Sequence, residues 1–283
     1  MEMLSVQDLS KTYERFQLKN VSFTLDEGYI MGFIGRNGAG KTTTLKAILN
    51  FIHPDSGKVT ILGEAYPQNE LALKQQIGFM SGGAGFYPKQ KLSVVTGVVK
   101  RFYDGWEDAA YQKYLKRFDL DENKKVEELS QGMKVKYGLA LALSHNAKLL
   151  ILDEPTSGLD PVSRDDLLEL FQELIEDGEK SILFSTQITS DLDKCADFIT
   201  YIKDGSILAS TDKDEFLGSY RVVKGTGEQF TEDVKNRLIG FKKNAYGFSG
   251  LLRTQDLPAL PGLDVSAPNI ESIMIYFEKG GLQ

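Results

Sequence analysis

A glycine-rich segment followed by a lysine and a run of threonines lies near the start of the chain. Gly35 is followed by four residues and then by Gly40, Lys41 and Thr42, which is the spacing of loops that bind the phosphates of a nucleotide. Such glycines let backbone N–H groups point at phosphate oxygens, at the positive end of the next helix. Lys41 then reaches the terminal phosphates, Thr42 offers its hydroxyl to Mg²⁺, and Thr43 donates to a neighbouring phosphate oxygen. The loop residues predicted to bind the nucleotide are Gly35, Asn37, Gly38, Ala39, Gly40, Lys41, Thr42 and Thr43.

Two adjacent carboxylates follow an apolar run in the middle of the chain. Residues 149–154 read LLILDE, which is typical of a buried parallel strand with acidic residues at its end. The carboxyl ends of such strands are where α/β sheets place their ligands. We therefore expect Asp153 to hold Mg²⁺ through water and Glu154 to orient or deprotonate an attacking water. The alternative is that the two carboxylates only end a strand.

Short strand-like and helical segments surround both motifs. Residues 29–34 predict a strand that leads into the phosphate loop, and residues 43–50 have helical spacing after it. Further strands are predicted at residues 77–80 and 181–185, an antiparallel side sheet at 4–26 and 58–64, and a hairpin that turns at Asp204-Gly205. Residues 92–119 have helical spacing with many aromatic side chains, and a terminal helix is predicted after Asn269. These elements indicate an α/β protein.

Two further motifs make a family resemblance visible. Residues 129–133 read LSQGM and residues 153–160 read DEPTSGLD, and with the phosphate loop they resemble the ATPase subunits of ABC transporters over roughly residues 1–210. The resemblance implies a P-loop NTPase (RecA-like) core with an antiparallel β side sheet and a helical subdomain at about residues 83–135. Residues 211–283 would then form a small C-terminal α/β appendage.

The resemblance also implies roles for single residues. Tyr13 matches the aromatic residue that stacks on adenine, while Ser130 and Gly132 match the signature that binds the ATP of the other subunit. Asp160 would communicate between two ATP sites. Two cassettes, as a homodimer or a heterodimer, would enclose ATP and Mg²⁺ and drive a separately encoded transmembrane permease at the cytoplasmic face of the cell membrane.

The sequence departs from the family pattern at three places. Gln187 stands where the family has its switch histidine, and Gly82 stands where the glutamine of the metal-contacting loop is expected. Gln131 and Met133 replace the commonest signature residues. The Gln187 amide can donate to a γ-phosphate oxygen but carries no proton or positive charge at neutral pH. Slow hydrolysis is therefore predicted, with Glu154, Gln187 and Lys41 as the catalytic residues.

No other histidine near Gln187 in sequence is an obvious substitute. The chain has two histidines, His53 and His145. His53 lies in the polar segment HPDSGK and His145 in SHNAK, so both are predicted to be solvent-exposed loop residues.

Charge and composition exclude several classes of function. A formal net charge of −7 over 283 residues disfavours a protein that binds the phosphate backbone of nucleic acid. One cysteine, Cys195, excludes an internal disulfide, and the first residues lack the pattern of a signal peptide. Because no apolar run has the length of a membrane-spanning helix, a membrane role is expected to come through a partner.

Three functions remain open. The stretch from FDLDENKKVEELSQGM to DEPTSGLDP is most similar to bacterial exporter ATPases of the drug and peptide branch, some of which export amphipathic or antimicrobial peptides. A nucleotide switch that dimerises but barely hydrolyses ATP is the second possibility. A nontransport ABC ATPase acting on ribosomes or DNA is the third, although the chain has one cassette and no heptad run.

Overall fold

The computed structural model describes residues 1–81, 87–260 and 262–280. The chain divides into two compact units, Met1–Ser210 and Thr211–Gln283. The strands that begin in the first unit are β1 (Glu2–Thr12), β2 (Gln17–Asp26), β3 (Ile30–Ile34), β4 (Ser56–Ile61), β5 (Glu64–Tyr66), β6 (Ile77–Ser81), β7 (Leu149–Asp153), β8 (Ser181–Thr186), β9 (Phe198–Lys203) and β10 (Ser206–Asp212). Its helices are α1 (Lys41–Ile48), α2 (Glu70–Lys74), α3 (Leu92–Val99), α4 (Asp108–Arg117), α5 (Gln131–Leu143), α6 (Pro161–Ile175) and α7 (Thr189–Cys195).

Two sheets build the first unit. The side sheet is antiparallel, with strand order β2-β1-β4-β5. The central sheet has the order β10-β9-β3-β8-β7-β6, and its strands from β9 to β6 are parallel. Every residue of β3, β7 and β8 is buried, as expected for strands covered on both faces. The carboxyl ends of β3, β8 and β7 therefore lie side by side at one edge of the sheet.

The turn between β9 and β10 is fixed to its surroundings by backbone hydrogen bonds. Asp204 and Gly205 both have positive φ, 47° and 77°, as a tight hairpin turn requires. The Gly205 N–H donates to the Ala39 carbonyl at 3.0 Å, and the Gly205 carbonyl accepts from the Lys19 N–H at 2.8 Å. The hairpin thus holds the phosphate loop against the side sheet.

Residues 92–143 of the first unit are mainly helical. Helices α3, α4 and α5 are accompanied by short 3-10 turns at Lys100–Phe102 and Val126–Glu128. The hydroxyls of Tyr111 and Tyr137 each lie 2.8 Å from Thr96 Oγ1 in a buried cluster. The aromatic residues of this segment thus contribute both a core and, at Phe102, an exposed side chain.

His145 is buried, so the prediction of an exposed loop histidine was wrong for this residue. Its ring stacks on Tyr103 with centroids 3.7 Å apart, and its Nδ1 lies 3.2 Å from the Gln75 carbonyl oxygen. Burial lowers the pKa of the imidazole. The polar residues around His145 in the sequence do not indicate that the Tyr103 ring covers it. His53 is exposed, as predicted.

The second unit is a small sheet with helices. Its elements are α8 (Lys213–Gly218), β11 (Tyr220–Gly225), α9 (Glu232–Arg237), β12 (Gly240–Asn244), β13 (Gly247–Arg253), a 3-10 helix (Thr254–Ala259), β14 (Asp264–Ser266) and α10 (Ile270–Lys279). The strand order is β12-β13-β11-β14, and all pairs are antiparallel. Asn269 caps α10 by accepting from the Ser272 N–H at 2.8 Å. Val223, Phe248 and Leu252 belong to the apolar core of this unit.

None of the helices in the described ranges is long and apolar enough to cross a membrane.

Candidate functional site

The phosphate loop joins the end of β3 to the start of α1. Gly40 has φ 117°, and a Cβ there would lie 2.8 Å from Leu18 Cδ2, so the position requires glycine. Gly35 and Ala39 are buried at the base of the loop, whereas Asn37 and Gly38 are exposed at its tip. Thr43 is half-buried in the first turn of α1.

Lys41 occupies the centre of the loop. Its side chain is buried, and its Nζ donates to the carbonyl oxygens of Gly35 at 2.7 Å and Arg36 at 3.3 Å. The same nitrogen lies 3.3 Å from Glu154 Oε1. The structure therefore brings together the lysine and the acidic residue predicted from distant motifs.

Thr42 and Asp153 form the second pair. The Thr42 hydroxyl donates to the Asp153 carboxylate, at 2.8 Å from Oδ2 and 3.1 Å from Oδ1. Asp153 Oδ1 also accepts from the Ser185 hydroxyl at 2.6 Å. One residue from the adjacent strand β8 and one from α1 thus fix the orientation of this buried carboxylate.

Glu154 adopts a strained backbone conformation. Its φ is 52°, which is uncommon for a residue other than glycine and is often found at functional sites. Its N–H donates to the Ser185 carbonyl at 3.1 Å and to the Ser185 hydroxyl at 3.0 Å. Ser185 therefore holds both acidic residues, the side chain of Asp153 and the main chain of Glu154.

The donor set fits a nucleotide with Mg²⁺. Hydroxyl and carboxylate oxygens are the ligands that Mg²⁺ prefers, and it retains waters and phosphate oxygens rather than a cage of protein groups. Within residues 1–81, 87–260 and 262–280, no cluster of three or more His, Cys, Asp or Glu side chains could hold a metal ion. The lysine and the start of α1 supply the positive charge that phosphates need.

Gln187 lies at the same edge of the sheet. Ile34 pairs with Thr186, and Asp153 pairs with Ser185, across three neighbouring strands. Gln187 follows Thr186 directly and is exposed. The register therefore places Gln187 beside the ends of the strands that carry the loop and the acidic pair. Gly82, where the glutamine of the metal-contacting loop is expected, lies outside the described residues.

The remaining predicted residues lie on exposed loops and helix starts. Tyr13 follows β1 with 44% of its surface exposed, and Lys11 Nζ lies 5.9 Å from its ring centroid. Ser130 caps α5 by accepting from the Met133 N–H at 3.2 Å, and Gly132 lies in the first turn of that helix. Tyr13 and Ser130 are both accessible from solvent.

Asp160 caps α6. Its carboxylate accepts from the Val162 N–H at 3.1 Å and the Ser163 N–H at 3.0 Å. The Ser163 N–H, the largest influence, keeps the pKa of Asp160 below its usual value, so the residue is charged at neutral pH. Like Ser130, it is exposed.

Sequence reasoning missed Ser185 and Asp191. In the sequence, Ser185 is one residue of the apolar strand SILFST. Only the pairing of β7 with β8 places it beside Asp153. Asp191 is fully buried and accepts from the hydroxyl of Thr156 at 2.6 Å and from that of Thr186 at 3.1 Å. A polar residue in a buried strand and an acidic residue early in a short helix were the available signals.

Comparisons with known proteins bear on the family and the fold of the chain. The family model described as ABC transporter matches residues 18–157. The chain is 33% identical over 219 residues to the ABC transporter ATP-binding protein YtrB of Bacillus subtilis (strain 168), covering 77% of this chain and 75% of that protein. It is 34% identical over 209 residues to the bacitracin transport ATP-binding protein BcrA of Bacillus licheniformis, covering 73% and 68%. A solved structure of an ATP-binding subunit of an ABC transporter superposes with a TM-score of 0.68 at 29% identity, covering 75% of this chain and 91% of that one.

The fold and the site define a P-loop NTPase of mixed α/β architecture. The chain belongs to the family of ABC transporter ATP-binding proteins. It is an ATPase cassette that binds ATP, and the family, the fold class and the enzyme class predicted from the motifs are confirmed.

Proposed function

We propose that the chain hydrolyses Mg²⁺-bound ATP between two cassettes and thereby drives export through a separately encoded permease. The observation that carries the proposal is the constellation at the ends of β3, β7 and β8. There Lys41 lies 3.3 Å from Glu154, and the Thr42 hydroxyl lies 2.8 Å from Asp153. These are the groups that phosphoryl transfer to water needs, already gathered at one edge of the sheet.

Each residue has a distinct role in the proposed reaction. Lys41 neutralises charge on the terminal phosphates, and Glu154 orients the attacking water and takes its proton. Thr42 and Asp153 hold Mg²⁺, which when bound neutralises charge on the phosphate oxygens. Gln187 donates its amide N–H to a γ-phosphate oxygen. Because this amide has no positive charge, it stabilises the transition state less than a protonated histidine does.

A second cassette completes the proposed site. Ser130 and Gly132 lie at the start of α5, where a hydroxyl and the positive end of the helix can meet the γ-phosphate held by the other cassette. Tyr13 stacks on the adenine of its own cassette. Asp160, exposed at the start of α6, lies at the proposed contact between cassettes and communicates between the two sites.

An exposed apolar stripe on α3 supports the proposal that the chain binds a permease. Val94, Val98 and Phe102 recur at four-residue steps along α3 and the turn after it, with 49%, 52% and 70% of their surfaces exposed. Tyr87, 76% exposed, precedes the same helix. We propose that this stripe receives a cytoplasmic helix of the permease, since the apolar face of an amphipathic helix packs against exposed apolar side chains. The chain would thus lie at the cytoplasmic face of the membrane.

The direction and the cargo rest on family resemblance. BcrA is named for bacitracin transport, and we propose an amphipathic or antimicrobial peptide, or a drug, as the exported compound. The partner cassette is proposed to be a second copy of the chain.

The experiment that tests the proposed arrangement measures ATP-dependent dimerisation. Glu154→Gln removes the base but keeps the side-chain volume, so bound ATP persists. In sedimentation this variant is expected to have the 31.5 kDa mass of one chain without ATP and about twice that mass with ATP and Mg²⁺. Lys41→Ala in the same background is the control and should stay single. A variant that binds ATP yet stays single would overturn the two-copy arrangement.

A second candidate function is a nucleotide switch with negligible turnover. Gln187 is the observation that favours it, because the position lacks a group that titrates near neutral pH. This candidate predicts ATP binding and dimerisation without release of phosphate.

A further inference from the structure

One buried carboxylate connects three segments that border the ATP site. Asp191, at the start of α7, has no exposed surface. Its Oδ2 accepts from the hydroxyls of Thr156 at 2.6 Å and Thr186 at 3.1 Å, and its Oδ1 accepts from Arg164 Nε. Burying a charge is costly unless it is paired and hydrogen-bonded. The three donors satisfy that requirement, and each comes from a different segment.

Two of the three donors lie next to catalytic residues. Thr156 is two residues after Glu154, and Thr186 immediately precedes Gln187. The Thr186 hydroxyl also accepts from the Ile188 N–H at 2.9 Å. The backbone on both sides of Gln187 is therefore held by one hydroxyl, and that hydroxyl is held by Asp191.

The third donor lies next to the proposed contact between cassettes. Arg164 is one turn into α6, the helix that Asp160 caps, and its N–H donates to the Asp160 carbonyl at 3.0 Å. The guanidinium also donates from Nη2 to Ser190 Oγ at 2.6 Å, at the start of α7. A displacement of the first turn of α6 would therefore be transmitted to α7 through two side-chain contacts.

We propose that Asp191 is a positioning residue: it fixes Gln187 relative to Glu154 and transmits movement at Asp160 to both. The inference rests on the proposed function, since Gln187 and Glu154 have their roles there. Asp191 touches no reacting atom. Its effect is on the geometry of groups that do, where a displacement of about 1 Å is enough to cost on the order of a hundredfold in rate.

The same two helices provide a matched control. Lys194 of α7 pairs with Asp165 of α6, and Gln172 Nε2 donates to the Lys194 carbonyl at 3.0 Å. Asp165 is exposed, and neither of these contacts involves a site residue. These contacts still join α6 and α7 when Asp191 is changed. Asp165→Asn therefore removes an ion pair between the two helices without touching the Asp191 network.

The test compares Asp191→Asn with Asp165→Asn in steady-state ATP turnover. Asp191→Asn is expected to lower kcat by roughly tenfold or more and to change KM for ATP by less than about twofold. Asp165→Asn should keep native values. A kcat within about twofold of native for Asp191→Asn, or an equal loss for Asp165→Asn, would overturn the inference.

Variants of Thr186 serve if Asp191→Asn does not fold. Thr186→Val removes the hydroxyl without changing the shape of the side chain, and Thr186→Ser retains the hydroxyl. The inference expects the loss of kcat in the valine variant and near-native kcat in the serine variant. Equal rates in the two variants would contradict it, because a packing role alone favours valine over serine.

Hydrogen exchange separates failure of this inference from failure of the proposed function. If the native chain releases no phosphate, the proposed hydrolysis fails, and exchange into peptides 154–160 and 184–190 with ATP bound decides the role of Asp191. Asp191→Asn should then speed exchange in both peptides together, while Asp165→Asn leaves both unchanged. Unchanged exchange of these peptides in Asp191→Asn would contradict the inference.

Discussion

At the scale of single residues, His145 connects the stability of the first unit to pH. Burial lowers the pKa of its imidazole, and its Nε2 has no hydrogen-bond partner within the described ranges. The unfolded chain has an ordinary histidine with a pKa of about 6.5. Between the two pKa values the unfolded state binds more protons, so stability falls as the pH drops below about 6.5.

We predict that His145→Phe flattens this pH dependence. Phenylalanine keeps a ring against Tyr103 but cannot bind a proton. In urea unfolding, the midpoint concentration of the native chain should decrease as the pH is lowered from 7 to 5. The midpoint of the variant should decrease less over the same range. His53→Gln changes the exposed histidine and should retain the native profile. Identical slopes in the native chain and His145→Phe would show that His145 does not carry the effect.

Most of the site residues were predictable because their signals are local. The spacing of Gly35, Gly40 and Lys41, and the acidic pair after an apolar run, each lie within a few consecutive residues. Ser185 and Asp191 were not predictable, because their partners are distant in sequence and become neighbours only through strand register and helix packing. Propensity and periodicity do not encode those contacts.

At the scale of elements, the β9–β10 turn shows what backbone geometry requires. A Cβ at Gly205 would lie 1.8 Å from the Gln17 carbonyl oxygen, and φ there is 77°. Gly63 has nearly the same φ, 76°, but no atom lies within 4 Å of its Cβ position. An alanine at either position would have a strained backbone, but only an alanine at Gly205 would also clash with a neighbouring atom.

We predict that Gly205→Ala destabilises the chain more than Gly63→Ala. Each substitution should cost about 1–2 kcal/mol from left-handed strain, and Gly205→Ala about 1–3 kcal/mol more, because backbone must move to admit the methyl group. The thermal unfolding midpoints of the two variants measure the difference. Equal midpoints would mean that the turn is free to shift away from β2.

Element positions followed from the sequence more completely than sheet order did. The alternation and apolar runs predicted the strands around the phosphate loop, and Asp204-Gly205 marked the hairpin turn. The order β12-β13-β11-β14 in the second unit was not predictable, since β14 pairs with β11 across two intervening strands. Such pairing depends on tertiary packing rather than on local preference.

At the scale of the whole molecule, the residues proposed to act on ATP lie in two different places. Lys41, Asp153 and Glu154 converge at one edge of the central sheet, whereas Ser130 and Asp160 lie at exposed helix starts. In the proposed function, the helix starts of one cassette contact the ATP bound at the sheet of the other cassette, which accounts for both locations.

The measurement that tests the central claim most directly is steady-state phosphate release by the purified chain at high protein concentration. We predict slow release that falls on the order of a hundredfold or more in Glu154→Gln and rises in Gln187→His, because a histidine adds the charge that glutamine lacks. A native chain that binds ATP but releases no phosphate, with Gln187→His without effect, would contradict hydrolysis at this site and favour the nucleotide switch.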